Sequence, residues 1–315
     1  MQLNELKSFL AVVRTRSFSL AAQQMHITQP AMSKRIQALE QPLGSRLFDR
    51  IGKQVHLTEA GQLLVAKAEA MLSLGSDIER DIANLSLTVS GRLKIATSHH
   101  IGLHRLEPVL RSYNLQYPNV ELDIQFEDSE VAANMVRAGE IELAVATLNP
   151  AHLAQSQTRA ATGGLAQELL ATPIWHDPLV FVCAPDSQAF DDAPVGLTAL
   201  AQSPCILPGL GTYTGRLVVD RFSAAGLPLN PRMSTNYLET IRMLVSVGLG
   251  WSVLPQTMVA GMRVLDVQCQ PIARTLGYMT HRARSLSNSA IAFLAVLDDY
   301  CSSPSEVGAE KSQTE

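Results

Sequence analysis

The chain has 315 residues, 46% hydrophobic and 17% charged, a composition typical of a globular protein with two or three domains. No apolar run approaches the roughly 18 residues of a membrane-spanning helix, and the opening MQLNELKSFLAVV lacks the basic and then apolar order of a signal peptide. We therefore expect a cytoplasmic protein that has no membrane partner. The four cysteines form no CxxC pair, so we expect reduced, buried thiols and no structural zinc site.

Charge is distributed unevenly along the chain. The first 58 residues hold eight basic and three acidic residues, a net charge of +5, whereas the whole chain carries −4. The remaining residues must therefore carry −9. A small basic region joined to a large acidic body predicts that nucleic acid binds to the N-terminal region.

Three helices and a hairpin are predicted for this N-terminal region. Apolar residues at steps of three and four indicate an amphipathic first helix. Its apolar positions are Leu3, Leu6, Leu10 and Val13. Ser19 is the predicted N-cap of a short second helix, and a third helix starts at QPAMSKRI and ends at Gly44. RLFDRIGKQVHLT then predicts a hairpin with Gly52 and Lys53 at its tip.

These elements, in this order, predict a winged helix-turn-helix, with the helix-turn-helix spanning about Phe18 to Gln37. The third helix is expected to enter the major groove of DNA with its first residues at the base edges. The residues expected at the base edges are Gln29, Pro30, Ser33 and Lys34. Those placed for phosphate or minor-groove contacts are Arg35, Arg50 and Lys53. The alternative is a generic three-helix domain whose charges form a solvated surface.

The motifs of this region resemble those of LysR-type transcriptional regulators. The chain has the paired alanines of SLAAQQ, the recognition-helix start TQPAMS, the run IQALEQPLGSRLFDR and the closing LTEAG, in the order and spacing of that family. The resemblance implies that residues 1–58 form a DNA-binding domain that works as a dimer.

Residues 59–89 are predicted to form a long linker helix. No proline occurs from Thr58 to Leu87, and Thr58 followed by Glu59 is a good helix start. The heptad positions, at steps of four and three, are Leu64, Ala68, Met71, Gly75, Ile78, Ile82 and Leu85. Such a helix is too long to bury itself against the head, so a second chain fits best, and the resemblance favours an antiparallel dimerisation helix. A core helix of the next domain is the alternative.

Residues 90–315 predict an α/β domain. Strand, helix, strand, helix and strand alternate from GRLKIAT to IELAVAT, which predicts a parallel sheet with right-handed crossovers and a first helix from about Ile101 to Gln116. The second half repeats the order before RTLGYMTHR and a last helix. This pattern resembles the two-lobed LysR effector domain, which is similar to periplasmic binding proteins.

The resemblance sets the expected boundaries of the two lobes. Lobe I would comprise about residues 90–168 and 268–301, and lobe II about residues 169–267. The segment Asn149–Gly164 is longer than the usual loop of the family. Residues 302–315 are polar and poor in aromatic residues, which predicts a disordered tail.

An effector site is expected where the strands of the two lobes end. Ligands of open α/β sheets bind at the carboxyl ends of strands, and helix N-termini favour anions, so we expect a small anionic metabolite. The expected contacts are Ser98, His99, His100, Thr147, Gly209, Thr212 and Tyr213, with Asn236 and Glu239 as weaker candidates. The family's use of the Ser98 position implies that Ser98 and His100 are the main contacts. His100 could hydrogen-bond to the effector or, when protonated, pair with an anionic one.

The histidines His99, His100 and His104 raise the question of a metal or catalytic centre. Consecutive side chains diverge in direction, Glu107 is the only carboxylate close in sequence, and no cysteine lies nearby, so we expect no metal and no cofactor. His104 is expected to face solvent or to pack along its helix. No nucleophile–base pair and no Walker lysine are recognisable, so we expect no enzyme.

These features predict a LysR-type regulator that binds double-stranded operator DNA as a dimer or homotetramer. A metabolite acting as co-inducer or co-repressor is expected to close the lobes, shift the population of states and change how dimers pack into tetramers. RNA polymerase is a further expected partner. The alternative is a solute-binding or enzymatic α/β protein whose helix-turn-helix is accessory or non-functional.

Overall fold

The computed structural model describes residues 2–51, 54–86, 88–150, 153, 168–190 and 194–302. The chain divides into two compact units, Met1–Ser86 and Leu87–Glu315, each with its own hydrophobic core. Most of the long Asn149–Gly164 segment and the predicted tail beyond residue 302 lie outside the described residues.

The first unit begins with three helices, α1 (Leu3–Thr15), α2 (Phe18–Gln24) and α3 (Gln29–Leu43). Ser17 caps α2, because its hydroxyl oxygen accepts a hydrogen bond from the Leu20 N–H at 3.3 Å. The prediction that Ser19 caps this helix is therefore wrong, since Ser19 lies inside it. Thr28 caps α3 through the Ala31 N–H at 3.4 Å.

The three helices enclose a core to which a small hairpin is added. The buried side chains include Leu6, Phe9, Met32, Leu39 and Leu47. The predicted apolar face of α1 is partly wrong: Leu3 is 47% exposed, whereas Phe9 and Val12 are fully buried. Strands β1 (Phe48–Ile51) and β2 (Gln54–Leu57) pair antiparallel and form the wing. The predicted tip of the wing lies outside the described residues.

Helix α4 (Glu59–Ala83) completes the first unit, and the burial of its apolar residues differs between its two halves. Ala68 is buried in the core of the head and Leu64 packs against that core, so the first part of the heptad pattern is satisfied within the chain. The later positions are exposed: Met71 by 42%, Ile78 by 53% and Ile82 by 65%. Only this second half of α4 presents an apolar row without a partner in the described part of the chain.

A sheet of seven strands forms the centre of the second unit. Its strands are β3 (Gly91–Thr97), β4 (Val120–Phe126), β5 (Leu143–Leu148), β6 (Leu169–Cys183), β9 (Ser252–Pro255), β10 (Arg263–Val264) and β11 (Ile272–His281). The strand order in the sheet is β10-β6-β11-β5-β3-β4, and β9 also pairs with β6. β4, β3 and β5 run parallel, as predicted for the first half. The other pairs of this sheet are antiparallel, so the sheet is mixed. A separate parallel pair joins β7 (Ile206–Leu207) to β8 (Met233–Ser234).

The helices of the second unit cover both faces of the sheet strands. They are α5 (His99–Ile101), α6 (Glu107–Gln116), α7 (Ser129–Ala138), α8 (Leu197–Gln202), α9 (Tyr213–Ser223), α10 (Leu238–Ser246) and α11 (Asn288–Ser302). The first helix starts at His99, two residues before its predicted start, and a π-helical turn over Gly102–Leu106 joins α5 to α6. No helix among the described residues is long and apolar enough to cross a membrane.

Two long strands connect the two lobes of this unit. β6 begins in the lobe I core with Leu169 and Ala171 and ends in the lobe II core with Leu179 and Phe181. β11 pairs with β6 along its whole length and returns in the opposite direction. Lobe I therefore contains β3–β5, α5–α7 and α11, and lobe II contains β7–β10 and α8–α10. The cleft between the lobes is positioned by these crossing strands.

The cysteines have no disulfide partner: Cys183 and Cys205 are buried, and Cys269 and Cys301 are half-buried. Burial raises the pKa of the Cys205 and Cys301 thiols to about 11, so both are protonated at neutral pH. A protonated, buried thiol behaves as a small hydrophobic side chain.

Candidate functional site

A cavity of ≈ 260 Å³ lies between the two lobes of the second unit. It is bounded by the turn after β3, the end of β5, the start of α7 and the starts of α9 and α10. Seven of the nine residues expected to contact an effector line it: Ser98, His99, His100, Thr147, Thr212, Tyr213 and Asn236. Gly209 and Glu239 do not line it; the Gly209 N–H donates to Asn236 Oδ1 at 2.9 Å.

Arg274 is both charged and buried, unlike the other cavity residues that sequence reasoning missed. Those others are Phe126, Glu127, Asp128, Ser129, Glu130, Pro208, Thr214, Tyr237 and Leu238. Arg274 lies on β11, is 6% exposed, and faces Asp177 of β6 in the strand register. Its Nε donates to Asp177 Oδ2 at 2.7 Å and its Nη1 to Thr214 Oγ1 at 3.0 Å. The Nη2 group is buried and has no hydrogen-bond partner in the described part of the chain. One face of a buried guanidinium therefore stays available to an acceptor from the cavity.

The sequence did hold a signal for this pair. Asp177 and Arg274 each interrupt a strand whose other residues are mostly apolar or uncharged, and a charge in such a strand needs a partner. Arg105 adds a second cation, with its Nη2 at 3.5 Å from Asp177 Oδ1. Two arginines and one carboxylate leave this buried group with a net positive charge, which favours an anionic ligand.

His100 also faces the cavity without a partner. It is 4% exposed, and neither ring nitrogen has a hydrogen bond within the described residues. Burial, and then the charges of Arg274, His104 and Arg105, lower the pKa of His100 to about 3. Of the two roles expected for His100, the lowered pKa contradicts pairing of a protonated ring with an anion near pH 7 and leaves hydrogen bonding by the neutral ring as a prediction.

The other two histidines of this segment point to different surroundings. His99 stacks on Phe126, with ring centroids 5.0 Å apart, and meets the edge of Tyr237 at 4.7 Å. His104 lies at 5.2 Å from the His100 ring, and its Nε2 is 3.0 Å from Glu239 Oε1. The expected divergence of His99 from His100 is thus what the structure shows.

Carboxylates of lobe I reach across the cleft to lobe II. Asp128 Oδ2 accepts a hydrogen bond from Asn236 Nδ2 at 2.6 Å. Glu130 accepts a short hydrogen bond from the Tyr213 N–H, at the start of α9, and lies 3.5 Å from Arg216 Nη2. The helix N-terminus that was expected to bind the carboxylate of an effector is therefore already bound to a carboxylate of the protein itself.

The start of α3 forms an exposed polar surface in the first unit. Gln29, Pro30 and Lys34 are exposed, and Gln29 Nε2 donates to Ser33 Oγ at 3.1 Å. Arg35 is half-buried, and its Nη1 donates to Ser8 Oγ of α1 at 3.4 Å, so it packs back on the head. The side chain of Arg50 and the whole of Lys53 lie outside the described residues. The four base-edge candidates thus lie together on one exposed helix start, as a recognition helix requires.

Comparison with known proteins decides the family. Residues 3–62 match the model of bacterial regulatory helix-turn-helix proteins of the lysR family, and residues 87–302 match the LysR substrate binding domain. The chain belongs to the LysR family of transcriptional regulators. It is therefore a DNA-binding regulator of transcription whose second unit matches the LysR substrate binding domain.

Individual LysR-type relatives agree with this assignment. An uncharacterized HTH-type regulator of Azotobacter vinelandii is 57% identical over 108 residues, which cover 34% of this chain and 75% of that protein. The uncharacterized regulator YeiE of Escherichia coli is 30% identical over 306 residues and covers 95% of this chain and 96% of its own.

Solved LysR-type structures share the fold. A full-length OxyR variant from Pseudomonas aeruginosa has a TM-score of 0.62 at 22% identity, covering 96% of this chain and 94% of that one. Full-length CbnR in complex with its target DNA has a TM-score of 0.59 at 18% identity, covering 95% and 99%.

Proposed function

We propose that this LysR-type regulator senses a small metabolite whose anionic group binds to Arg274 in the cleft. The observation that carries the proposal is Arg274, which lines a cavity between the two lobes and whose buried Nη2 group has no hydrogen-bond partner among the described residues. A planar guanidinium with one open edge suits a carboxylate or a similar oxyanion. The cavity volume of ≈ 260 Å³ limits the ligand to a small molecule.

The remaining walls of the cavity favour a ligand that is polar at more than one point. Ser98 and Thr147 offer a hydroxyl group each, and the neutral His100 ring offers a donor or an acceptor. Glu127, Asp128 and Glu130 also line the cavity and disfavour a second anionic group near them. We therefore expect one anionic group at Arg274 and a neutral or cationic remainder near these three carboxylates.

Binding assays on the full chain test this class of ligand. We would measure thermal shifts and calorimetric affinities for a panel of small carboxylates, each paired with its uncharged amide. A ligand at 100 times its Kd should raise the free energy of unfolding by about 2.7 kcal/mol, and its amide should not. Arg274→Lys keeps the charge but loses the fork, and should weaken binding about tenfold.

Two further variants control for this experiment. Arg111→Ala removes an exposed arginine outside the cavity and should leave binding unchanged. Ser98→Ala removes a hydroxyl that lines the cavity and should weaken binding by a smaller factor. If amides stabilise the chain as well as carboxylates, or if Arg274→Lys binds like the wild type, the ligand class is wrong.

The same ligand is proposed to act through the closure of the two lobes. Asp128 and Glu130 of lobe I accept hydrogen bonds from Asn236 and Tyr213 of lobe II, so a ligand bound between the lobes would change the relative stability of their open and closed states. We propose that this balance changes how dimers associate into tetramers on the operator. The relatives are named as transcriptional regulators, and we propose a sensing role for the cleft without catalysis, in the cytoplasm where the chromosome lies.

Dimerisation is proposed to use the exposed half of α4. Its row of exposed apolar residues comprises Met71, Leu74, Ile78 and Ile82, at steps of three, four and four. Such a row lies on one face of a helix and matches a partner helix from a second copy. Sedimentation of the full chain at micromolar concentration tests this, since a strict monomer would contradict it.

DNA binding at the start of α3 is tested by gel shift with the DNA upstream of the gene for this chain. Lys34→Ala should weaken binding by about 1–3 kcal/mol if Lys34 reads a base. Lys94→Ala removes the same charge from β3 of the second unit and serves as the matched control. Absence of any shifted band, with no change in Lys34→Ala, would favour the alternative of an accessory helix-turn-helix.

A further inference from the structure

The fold brings a carboxylate to two histidines that are four residues apart. His100 and His104 flank the start of the π-helical turn, and their ring centroids are 5.2 Å apart. Glu239 lies 135 residues further along the chain than His104, on α10 of lobe II, and its Oε1 is 3.0 Å from His104 Nε2. One ligand atom from each of the three residues lies within 4.8 Å of the other two.

The expectation of no metal site was based on sequence neighbours alone. Glu107 is the only carboxylate close to these histidines in the sequence, but it pairs with Arg111 instead. The carboxylate that completes the set comes from the opposite lobe, which spacing within one segment cannot show. Packing of α10 of lobe II against the start of lobe I places Glu239 beside the two rings in this structure.

The His100 ring makes this group more than an exposed ion pair. The side chain of His100 is only 4% exposed, and neither of its ring nitrogens has a hydrogen-bond partner among the described residues. A buried imidazole with no hydrogen bond costs free energy unless something binds it. His104 and Glu239 are half-exposed at the same place, which provides an entry path from solvent.

The donor set selects a class of ion. Two imidazoles and one carboxylate form the ligand set that Zn²⁺ takes at open sites, whereas Ca²⁺ and Mg²⁺ require mostly oxygen ligands. Bonds of roughly 2.0–2.2 Å place tetrahedral ligands about 3.3 Å apart, so small side-chain rotations would suffice to close the group around an ion. The cations Arg274 and Arg105 act on His100, but Asp177 is paired with both of them and offsets part of their charge.

We propose that His100, His104 and Glu239 bind a divalent transition-metal ion, with Zn²⁺ as the first candidate, and that the ion links lobe I to lobe II. The fourth coordination position is open to water or to an anionic group. Because two ligands come from α5 and the π-helical turn and one from α10, the ion binds the closed state of the lobes and stabilises it. This site shares His100 with the wall of the metabolite cavity but does not include Arg274, the residue proposed to bind the anionic group of the metabolite.

The experiment uses the full chain, freed of metal with a chelator, and Zn²⁺ or Co²⁺ alone as the probe. Calorimetry should show one ion per chain, and Co²⁺ should give the intense visible absorption of a tetrahedral site. His104→Ala and Glu239→Gln should each weaken binding about tenfold or more, because each removes one of three ligands. His176→Ala removes an exposed histidine of the same unit and should change nothing.

Both variants alter half-exposed side chains, so folding of the chain should be retained and is checked by circular dichroism. No binding by the wild type, or equal affinity in the wild type, His104→Ala and Glu239→Gln, would overturn the metal site. Carboxylate binding that depends on Arg274 would survive that result, so the two proposals fail independently.

Discussion

Two turns line opposite sides of the cleft, and they differ in how many of their hydrogen-bonding groups are bound by the protein itself. In lobe II, the Thr212 hydroxyl accepts a hydrogen bond from the Gly215 N–H at 3.1 Å and donates one to the Gly209 carbonyl at 2.7 Å. The N–H of the next residue, Tyr213, donates to Glu130. In lobe I, Ser98 occupies the corresponding N-cap position before α5, but its side chain makes no capping hydrogen bond. The hydrogen-bonding groups of the lobe II turn are bound by the protein, whereas Ser98, Arg274 and His100 retain groups without a partner among the described residues. Polar groups that the protein leaves unpaired beside a cavity indicate where a ligand binds.

The substitution with the largest expected effect is Arg274→Met. Removal of the Arg274 guanidinium leaves the buried Asp177 carboxylate with only the more distant Arg105, which should lower the free energy of unfolding by about 3–5 kcal/mol. Chemical denaturation measures the loss. Arg111→Ala is the control and should leave stability unchanged, since that side chain is exposed. A loss equal to that of the control would show that the Arg274–Asp177 pair does not hold the crossing strands together.

The second test uses the neutral state of His100. Its pKa is about 3 when folded and near 6.5 when unfolded, so between these values the unfolded chain binds a proton that the folded chain does not. Stability should therefore fall as the pH is lowered, by about 2 kcal/mol from this residue between pH 7 and pH 5. Metal-free wild type and His100→Gln are compared by denaturation at both pH values. The free energy of unfolding should change more with pH in the wild type than in His100→Gln. An equal change in both chains would show that the fold does not hold His100 neutral.

Thr212→Val and Ser98→Ala form a matched pair for the two turns. Thr212→Val should cost about 1 kcal/mol of stability, because a working cap is lost. Ser98→Ala should change stability by less than about 0.5 kcal/mol, because no cap is lost. Only Ser98→Ala should weaken ligand binding without destabilising the chain. Stability is measured by thermal unfolding and ligand binding by calorimetry. A larger loss of stability in Ser98→Ala than in Thr212→Val, or weaker ligand binding only in Thr212→Val, would contradict the distinction between the two turns.

The smallest expected effect belongs to Glu130→Gln. Loss of the negative charge at the start of α9 should lower the free energy of unfolding by about 0.3–1 kcal/mol. Carboxylate binding should not weaken, because Glu130 and not the ligand bonds the Tyr213 N–H. Weaker binding in calorimetry would mean that Glu130 contacts the ligand directly.

Local patterns in the sequence were enough to predict the head and the first three strands of the effector domain. Helix caps, apolar periodicity and the LysR-type motifs all act over a few residues, and even there Ser17 rather than Ser19 proved to be the cap. The unpaired groups of the cleft could not be predicted, because they depend on contacts distant in the sequence. Arg274 meets Asp177 only through the register of β6 and β11, 97 residues apart, and Glu239 meets His104 only through the packing of two lobes across 135 residues of chain.

The uneven burial of α4 links assembly to local folding. Its second half is short, is held by few core contacts and carries the exposed apolar row, and isolated helices shorter than about 12–15 residues are only marginally stable in water. A second copy would bury that row and hold the same turns helical, so in this segment association and helix formation are one equilibrium. Amides of residues 74–83 should then exchange with deuterium more slowly as the protein concentration rises, which makes the order of this helix a measure of how much regulator is present.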